Sequence, residues 1–306
     1  MMQQNIHLLL TVASLLYFAT VARLFSVENN HGNDDAFLSE NIHTEDEMNE
    51  NADRFLAEDD VSMRIIMAGN SYTYQQDMNL KLQQMLDVDY GSTEVVRQPF
   101  RSGGKKIYEH ANRYDNGAYD ALLAKDNNKF FVLQDQSQLP SLQQLQPYYG
   151  MSRDAVAYFR EELDLDIDLI LMMTWGREKQ DQNIGFNMCF TQMQENLKNG
   201  YEDYRDHAIA QNPNKPNVYI APVGLAFQAI HDKYCDGGVS TPQCTGQNSG
   251  VSLGCEAATD GNTDFTKLYK NDGSHPTLHG TYLAACVLYA TMTGKSPVGM
   301  PGEILQ

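Results

Sequence analysis

Four short polar stretches carry the residue types that nucleophilic chemistry needs, and each adjoins an apolar run. Gly69-Asn70-Ser71-Tyr72-Thr73 closes the run Arg64-Ile65-Ile66-Met67-Ala68. Arg101-Ser102-Gly103-Gly104-Lys105 and Gln134-Asp135-Gln136-Ser137-Gln138 follow two further runs, and Asn271-Asp272-Gly273-Ser274-His275-Pro276 precedes a nearly all-apolar one. A serine hydroxyl becomes a useful nucleophile only when a base removes its proton and a third group orients that base. Ser71, His275 and Asp272 can fill those roles, because a carboxylate three residues before an imidazole can accept its Nδ1–H and leave Nε2 free for Ser71. Donors for the developing oxyanion are available at the Ser71 N–H, the Gly103 N–H and the Gln136 side-chain amide. Each residue also has a plainer use. Ser71 or Thr73 can cap a helix, His275 can be a helix-terminus histidine satisfied by Asp272, the Gly pair can be a tight turn, and Asp135 and Asp77 read as solvent-facing or capping.

Positioning these groups requires a scaffold, and the apolar periodicity supplies one. Short buried runs at 64–68, 93–98, 129–133, 167–174 and 217–221 read as strands. Helical spacing covers 75–86, 105–114, 152–163, 186–208 and 278–292, the last ended by Gly294 and Pro297. Pro276 suits the first turn of that last helix and keeps His275 outside it. Strands that alternate with helices predict an α/β fold, a doubly wound parallel five-stranded sheet with both faces covered. Ligands of such sheets sit at the carboxyl ends of the strands, where the polar turns fall.

The four blocks Gly69-Asn70-Ser71, Ser102-Gly103-Gly104, Gln134-Asp135-Gln136-Ser137 and Asp272-Gly273-Ser274-His275, in this order, resemble those of the SGNH/GDSL hydrolases. The resemblance covers nearly everything after residue 61. It implies a flavodoxin-like three-layer α/β/α fold and serine esterase or acylhydrolase chemistry, with no metal or organic cofactor. By the same resemblance Ser71 is the nucleophile, Asp272 and His275 complete the triad, and Gly103 is the second-block oxyanion donor; Thr73 is left to cap the helix. Two positions depart from the usual pattern: Asn70 stands where the first block has Asp, and Gln136 where the third has Asn, as in a branch sharing Val-Leu-Gln-x-Gln-Ser.

Composition narrows the partners. A formal charge of -18 at pH 7 lacks the clustered Lys and Arg that a nucleic-acid backbone requires. His275 and His279, four apart, with Asp272 could ligate a metal, but Pro276 breaks the helical face that would align them. The expected substrate is a small-molecule or carbohydrate ester, with O-acetyl groups on a glycan as one class and Tyr72, Trp175 and Tyr148 as candidate exposed aromatics. Two alternatives stay open: an O-acyltransferase that passes the acyl group to a glycan hydroxyl, and a non-catalytic glycan-binding module on a degenerate hydrolase fold.

The apolar run 8–22 has the length of a signal-peptide core, so residues 1–26 read as a signal peptide or membrane anchor that sends the chain into the secretory pathway, secreted or anchored. Any membrane contact would be through that segment. Residues 27–61 read as an acidic disordered linker, with twelve acidic residues against one Arg between 28 and 60. By the resemblance, residues 62–306 read as the hydrolase-like domain. Of the five cysteines, Cys235, Cys244 and Cys255 fall in one Gly, Ser and Asn-rich stretch, 232–264, where a disulfide staple is plausible. Cys286 reads as core, and Cys189 as either.

Overall fold

The structure, a computed structural model, describes residues 61–97, 103–143, 147–178, 188, 190–215, 217–235 and 266–300. Five strands, β1 Met63–Ala68, β2 Thr93–Arg97, β3 Asn128–Leu133, β4 Asp168–Met172 and β5 Val218–Ala221, form one sheet in the order β2-β1-β3-β4-β5. Every pairing is parallel. The five runs found by periodicity are thus the five strands; β1 and β4, buried on both faces except at Asp168, leave the near-continuous apolar signature of such strands, whereas the edge strands β2 and β5 are only partly buried.

The helices divide between the two faces. We number them α1 Ser71–Tyr74, α2 Met78–Tyr90, α3 Ile107–Asp115, α4 Asp120–Leu123, α5 Tyr148–Glu162, α6 Phe190–Gln211, α7 Val223–Cys235 and α8 Leu278–Thr293. Alternate residues of β1 split accordingly: Met63, Ile65 and Met67 pack with Leu82 and Met85 of α2, Phe227 of α7 and Leu283 of α8. Ile66 and Ala68 join Ile107 of α3, Phe159 of α5 and Leu197 of α6. The period-two pleat thereby builds two cores from one strand. After β1 the chain first adds β2 on one side, then crosses to add β3 on the other. The crevice at that reversal, outside the carboxyl ends of β1 and β3, is where doubly wound sheets hold ligands.

Several local expectations need correction. The helix expected over 75–86 is interrupted: α1 ends at Tyr74, a single 3-10 turn spans Gln75–Asp77, and α2 starts only at Met78. Gln76 and Asp77 adopt φ of 56° and 50°, a left-handed backbone that breaks the helix. Pro276 is not in the first turn of α8. Thr277 is the N-cap, its side chain accepting from the Gly280 N–H, and Pro276 instead pairs with Tyr269 in an isolated bridge. Helix α7 was not expected, although Val223, Ala226, Phe227 and Ile230 are buried at helical spacing. Among the cysteines, Cys286 is buried in α8 as expected and Cys235 ends α7, while Cys189, Cys244 and Cys255, and with the last two the proposed staple, fall outside the described residues, as do the apolar run 8–22 and the acidic stretch 28–60.

Candidate active site

Ser71 is the first residue of α1, directly after β1, and the turn that presents it is built by its neighbours. Gly69 is required by close packing: a Cβ there would lie 2.7 Å from Gln134 Oε1 and 2.7 Å from Thr73 Cγ2. Asn70 is the N-cap, and its Oδ1 accepts the Tyr72 N–H at 3.2 Å. Neither Ser71 nor Thr73 caps α1; the Thr73 hydroxyl donates to the Asn70 carbonyl at 2.8 Å. The Asn70 amide nitrogen donates to the carbonyls of Lys105 at 2.9 Å and Asp135 at 3.1 Å, tying the second and third blocks to the first. An ionised aspartate has no hydrogen to donate. The Asn found where the family pattern has Asp is therefore matched to two facing carbonyls.

The loop 272–275 meets Ser71 across the crevice. Gly273 has φ 62°, which turns the chain so that the Ser274 and His275 N–H groups both donate to Asp272 Oδ1 at 2.9 Å. Asp272 Oδ2 lies 2.6 Å from His275 Nδ1, and His275 Nε2 lies 2.8 Å from Ser71 Oγ. Burial pushes the Asp272 carboxyl up, but the hydrogen bonds from the His275 ring and from the His275 and Ser274 N–H groups outweigh it and hold it below 3.8. An ionised carboxylate can only accept, so Nδ1 carries the ring proton and the Nε2 lone pair faces the hydroxyl. Ser71 is 9% exposed, whereas the side chains of His275 and Asp272 are 29% and 48% exposed. The hydroxyl is recessed beneath an imidazole that opens to solvent.

The expected donors lie in the turns that follow β1, β2 and β3. Ser71 N–H, at the amino end of α1, has no partner among the described residues. Gly103 is exposed beside α1, where a Cβ would lie 3.7 Å from Tyr74 Oη. Gln136 Oε1 accepts the N–H groups of Gln138 and Leu139 at 2.9 and 3.0 Å. That fixes its carbonyl end on the turn Leu139–Ser141 and leaves the Nε2 hydrogens as its donors. Ser102 lies outside the described residues.

Beneath the turns, three side chains missed in the sequence hold the first and third blocks. Gln134 is fully buried, and its Oε1 accepts the Asn70 N–H at 3.0 Å. His110 Nε2 lies 2.9 Å from the Gly69 carbonyl, which can only accept, so the ring is the Nε2–H tautomer, with Nδ1 2.9 Å from Tyr119 Oη. Its spacing with Ile107 and Ala111 on one face of α3 was a legible sign of burial. Asp135 is not solvent-facing: it is fully buried and accepts from Ile107 N–H at 3.0 Å, Gln136 N–H at 2.8 Å, Ser152 Oγ at 3.2 Å and Tyr204 Oη at 3.0 Å.

Burial lifts the Asp135 carboxyl from 3.8 to about 6 and lowers the His110 imidazole from 6.5 to about 4. Between pH 3.8 and about 6 only the unfolded chain ionises at Asp135, so stability falls as pH rises through that window. Between about 4 and 6.5 only the unfolded chain is protonated at His110, so stability rises. The two contributions, on the order of 3 kcal/mol each, oppose one another. Asn at position 135 keeps the Oδ1 acceptor and offers Tyr204 a donor. Relative to the unmodified protein, Asp135→Asn should gain about 3 kcal/mol of unfolding free energy between pH 4 and 6.5 in urea titrations; a difference independent of pH would exclude the buried-carboxylate assignment.

Tyr72 and Trp175 are not exposed. They are 2% and 0% accessible and stack on one another, so of the three aromatics considered for a sugar face only Tyr148, 52% exposed, remains at the surface.

No family model matches the chain, and no curated protein matches it. Among solved structures, a protein from Slackia heliotrinireducens classed as a candidate SGNH hydrolase is 23% identical, covering 76% of this chain and 99% of its own, with a TM-score of 0.52. A DUF4886 family protein from Bacteroides uniformis is 17% identical, covering 78% of this chain and 86% of its own, with a TM-score of 0.55. These likenesses concern the fold, which is the SGNH hydrolase-like three-layer α/β/α arrangement.

Proposed function

We propose that this chain is a serine hydrolase of the SGNH type that cleaves carboxylic esters through an acyl-enzyme on Ser71. The observation that carries the reading is the hydrogen-bonded line from Asp272 through His275 to Ser71 Oγ. As Oγ attacks the ester carbonyl carbon, its proton passes to His275 Nε2, and the ionised Asp272 stabilises the imidazolium. The carbonyl oxygen becomes an oxyanion, which the Ser71 N–H at the helix amino end, the Gly103 N–H and the Gln136 amide are suited to receive. Collapse expels the alcohol, which takes the proton from Nε2. Water then attacks the acyl carbon and gives a proton to His275, which passes it to Ser71 Oγ as the acid leaves.

Each half-reaction needs an unprotonated Nε2, so turnover should be lost towards acid. The half-exposed rim of the site suits a solvent-borne ester, and an O-acetylated glycan is the carbohydrate form of such a substrate. Hydrolysis of p-nitrophenyl acetate and butyrate by the purified full chain, followed across pH, tests the reading. Release of nitrophenolate well above the buffer rate, with an acid limb, is expected; a rate equal to buffer for both esters would exclude it.

A further inference from the structure

We infer that Tyr72 is a positioning residue for His275: it latches the 272–275 loop to the helical turn that carries the nucleophile. The inference rests on the ester-hydrolase reading. Ser71 and Tyr72 are consecutive on α1, so their side chains leave the turn in directions about 100° apart. Ser71 Oγ reaches His275, while the Tyr72 ring goes beneath the loop into the core.

There it lies flat on Trp175, with centroids 4.5 Å apart and planes 6° apart; Trp175 in turn lies flat on Phe227 of α7 at 4.5 Å and 3°. All three rings are buried. The column is thus fixed by the chain just beyond β4 and by a helix, and its outermost member touches the catalytic loop twice. Tyr72 Oη and Ser274 Oγ share a hydrogen bond of 2.6 Å, and the Tyr72 ring stands edge-on to the His275 ring at 5.5 Å and 71°.

Ser274, between Asp272 and His275, has every polar group engaged. Its hydroxyl goes to Tyr72, its carbonyl accepts from Trp175 Nε1 at 3.0 Å, and its N–H donates to Asp272 Oδ1. The Gly273 carbonyl is held by the Glu178 N–H at 2.9 Å. Asp272 and His275 themselves face solvent, so their placement depends on these contacts from below. A displacement of about 1 Å between base and nucleophile costs on the order of 100-fold in rate, which is why a latch one residue from the nucleophile matters.

The test uses the full chain and three variants, Tyr72→Phe, Ser274→Ala and the pair together. Two readouts are followed: the second-order rate of Ser71 labelling by a fluorophosphonate, which does not depend on the natural substrate, and kcat and KM for p-nitrophenyl acetate. Each single variant should lower the labelling rate and kcat by about tenfold or more, leave KM within about twofold, and match the double variant, since both remove one contact. Ser274→Ala keeps the test open if Tyr72→Phe does not fold. Labelling and kcat at the unmodified rate in either folded single variant, or a change confined to KM or to Tm, would overturn the latch alone. An unmodified chain that the fluorophosphonate does not label would overturn the ester-hydrolase reading and the latch with it.

Discussion

Replacing Ser71 by Ala should lower kcat for p-nitrophenyl ester hydrolysis by about 10⁴-fold or more while leaving the fold intact. The expectation of an intact fold comes from the local structure. Asn70 supplies the N-cap of α1, Thr73 and Asn70 lock the turn, and the Ser71 hydroxyl bonds only to His275 among the described residues. Alanine is the best helix former, and it removes just the attacking oxygen. The residual rate is carried by the oxyanion donors and by binding. Circular dichroism and Tm should match the unmodified protein within a few degrees. A variant retaining a tenth of the original kcat would remove Ser71 from the nucleophile's role.

The second large effect is expected at His275. Asparagine there cannot accept the serine proton, so His275→Asn should fall by a similar factor, and the double variant with Ser71→Ala should be no worse than either alone, because the two act as one unit. Stability should change little. Asp272 keeps the N–H groups of residues 274 and 275 on Oδ1, and its other oxygen, half exposed, can be solvated when the imidazole is gone. Steady-state kinetics from pH 4 to 9 on the three proteins read both effects. Multiplying losses, or a loss of tenfold or less at His275, would separate the two residues and break the proposed proton path.

The scaffold for these residues was legible in the sequence because its elements are governed by local pattern. Ile65, Phe131 and Ile170 sit in short apolar runs of the kind that buried parallel strands leave, and their carboxyl ends carry the polar turns. The interruption before α2 was not legible: Gln76 and Asp77 adopt left-handed φ although neither is glycine. Helix α7 was overlooked because it runs into the Gly, Ser and Asn-rich stretch, though Val223, Ala226, Phe227 and Ile230 bear the spacing.

Within the site, Ser71, Asp272 and His275 stand out in the sequence because the proposed triad chemistry needs those residue types, and two of them sit three residues apart. What sequence could not convey is what holds them. Trp175 looked like a surface aromatic at a strand end, and the rings of Phe227 and Tyr72, distant in sequence, stack on it in the core. Asn70 looked like a departure from the usual first block, and its reason lies in the carbonyls of Lys105 and Asp135, contributed by two other turns. Asp135 read as a surface acid because isolated carboxylates usually are; four donors from four separate positions make its burial tolerable.

The most direct measurement is the mass and location of the adduct formed when the full chain is incubated with a fluorophosphonate and digested. A single adduct on the peptide containing Ser71, absent from Ser71→Ala and slowed in His275→Asn, is the predicted result. No adduct on the folded, unmodified chain, or an adduct on another serine that persists in Ser71→Ala, would contradict the assignment of Ser71 as the nucleophile.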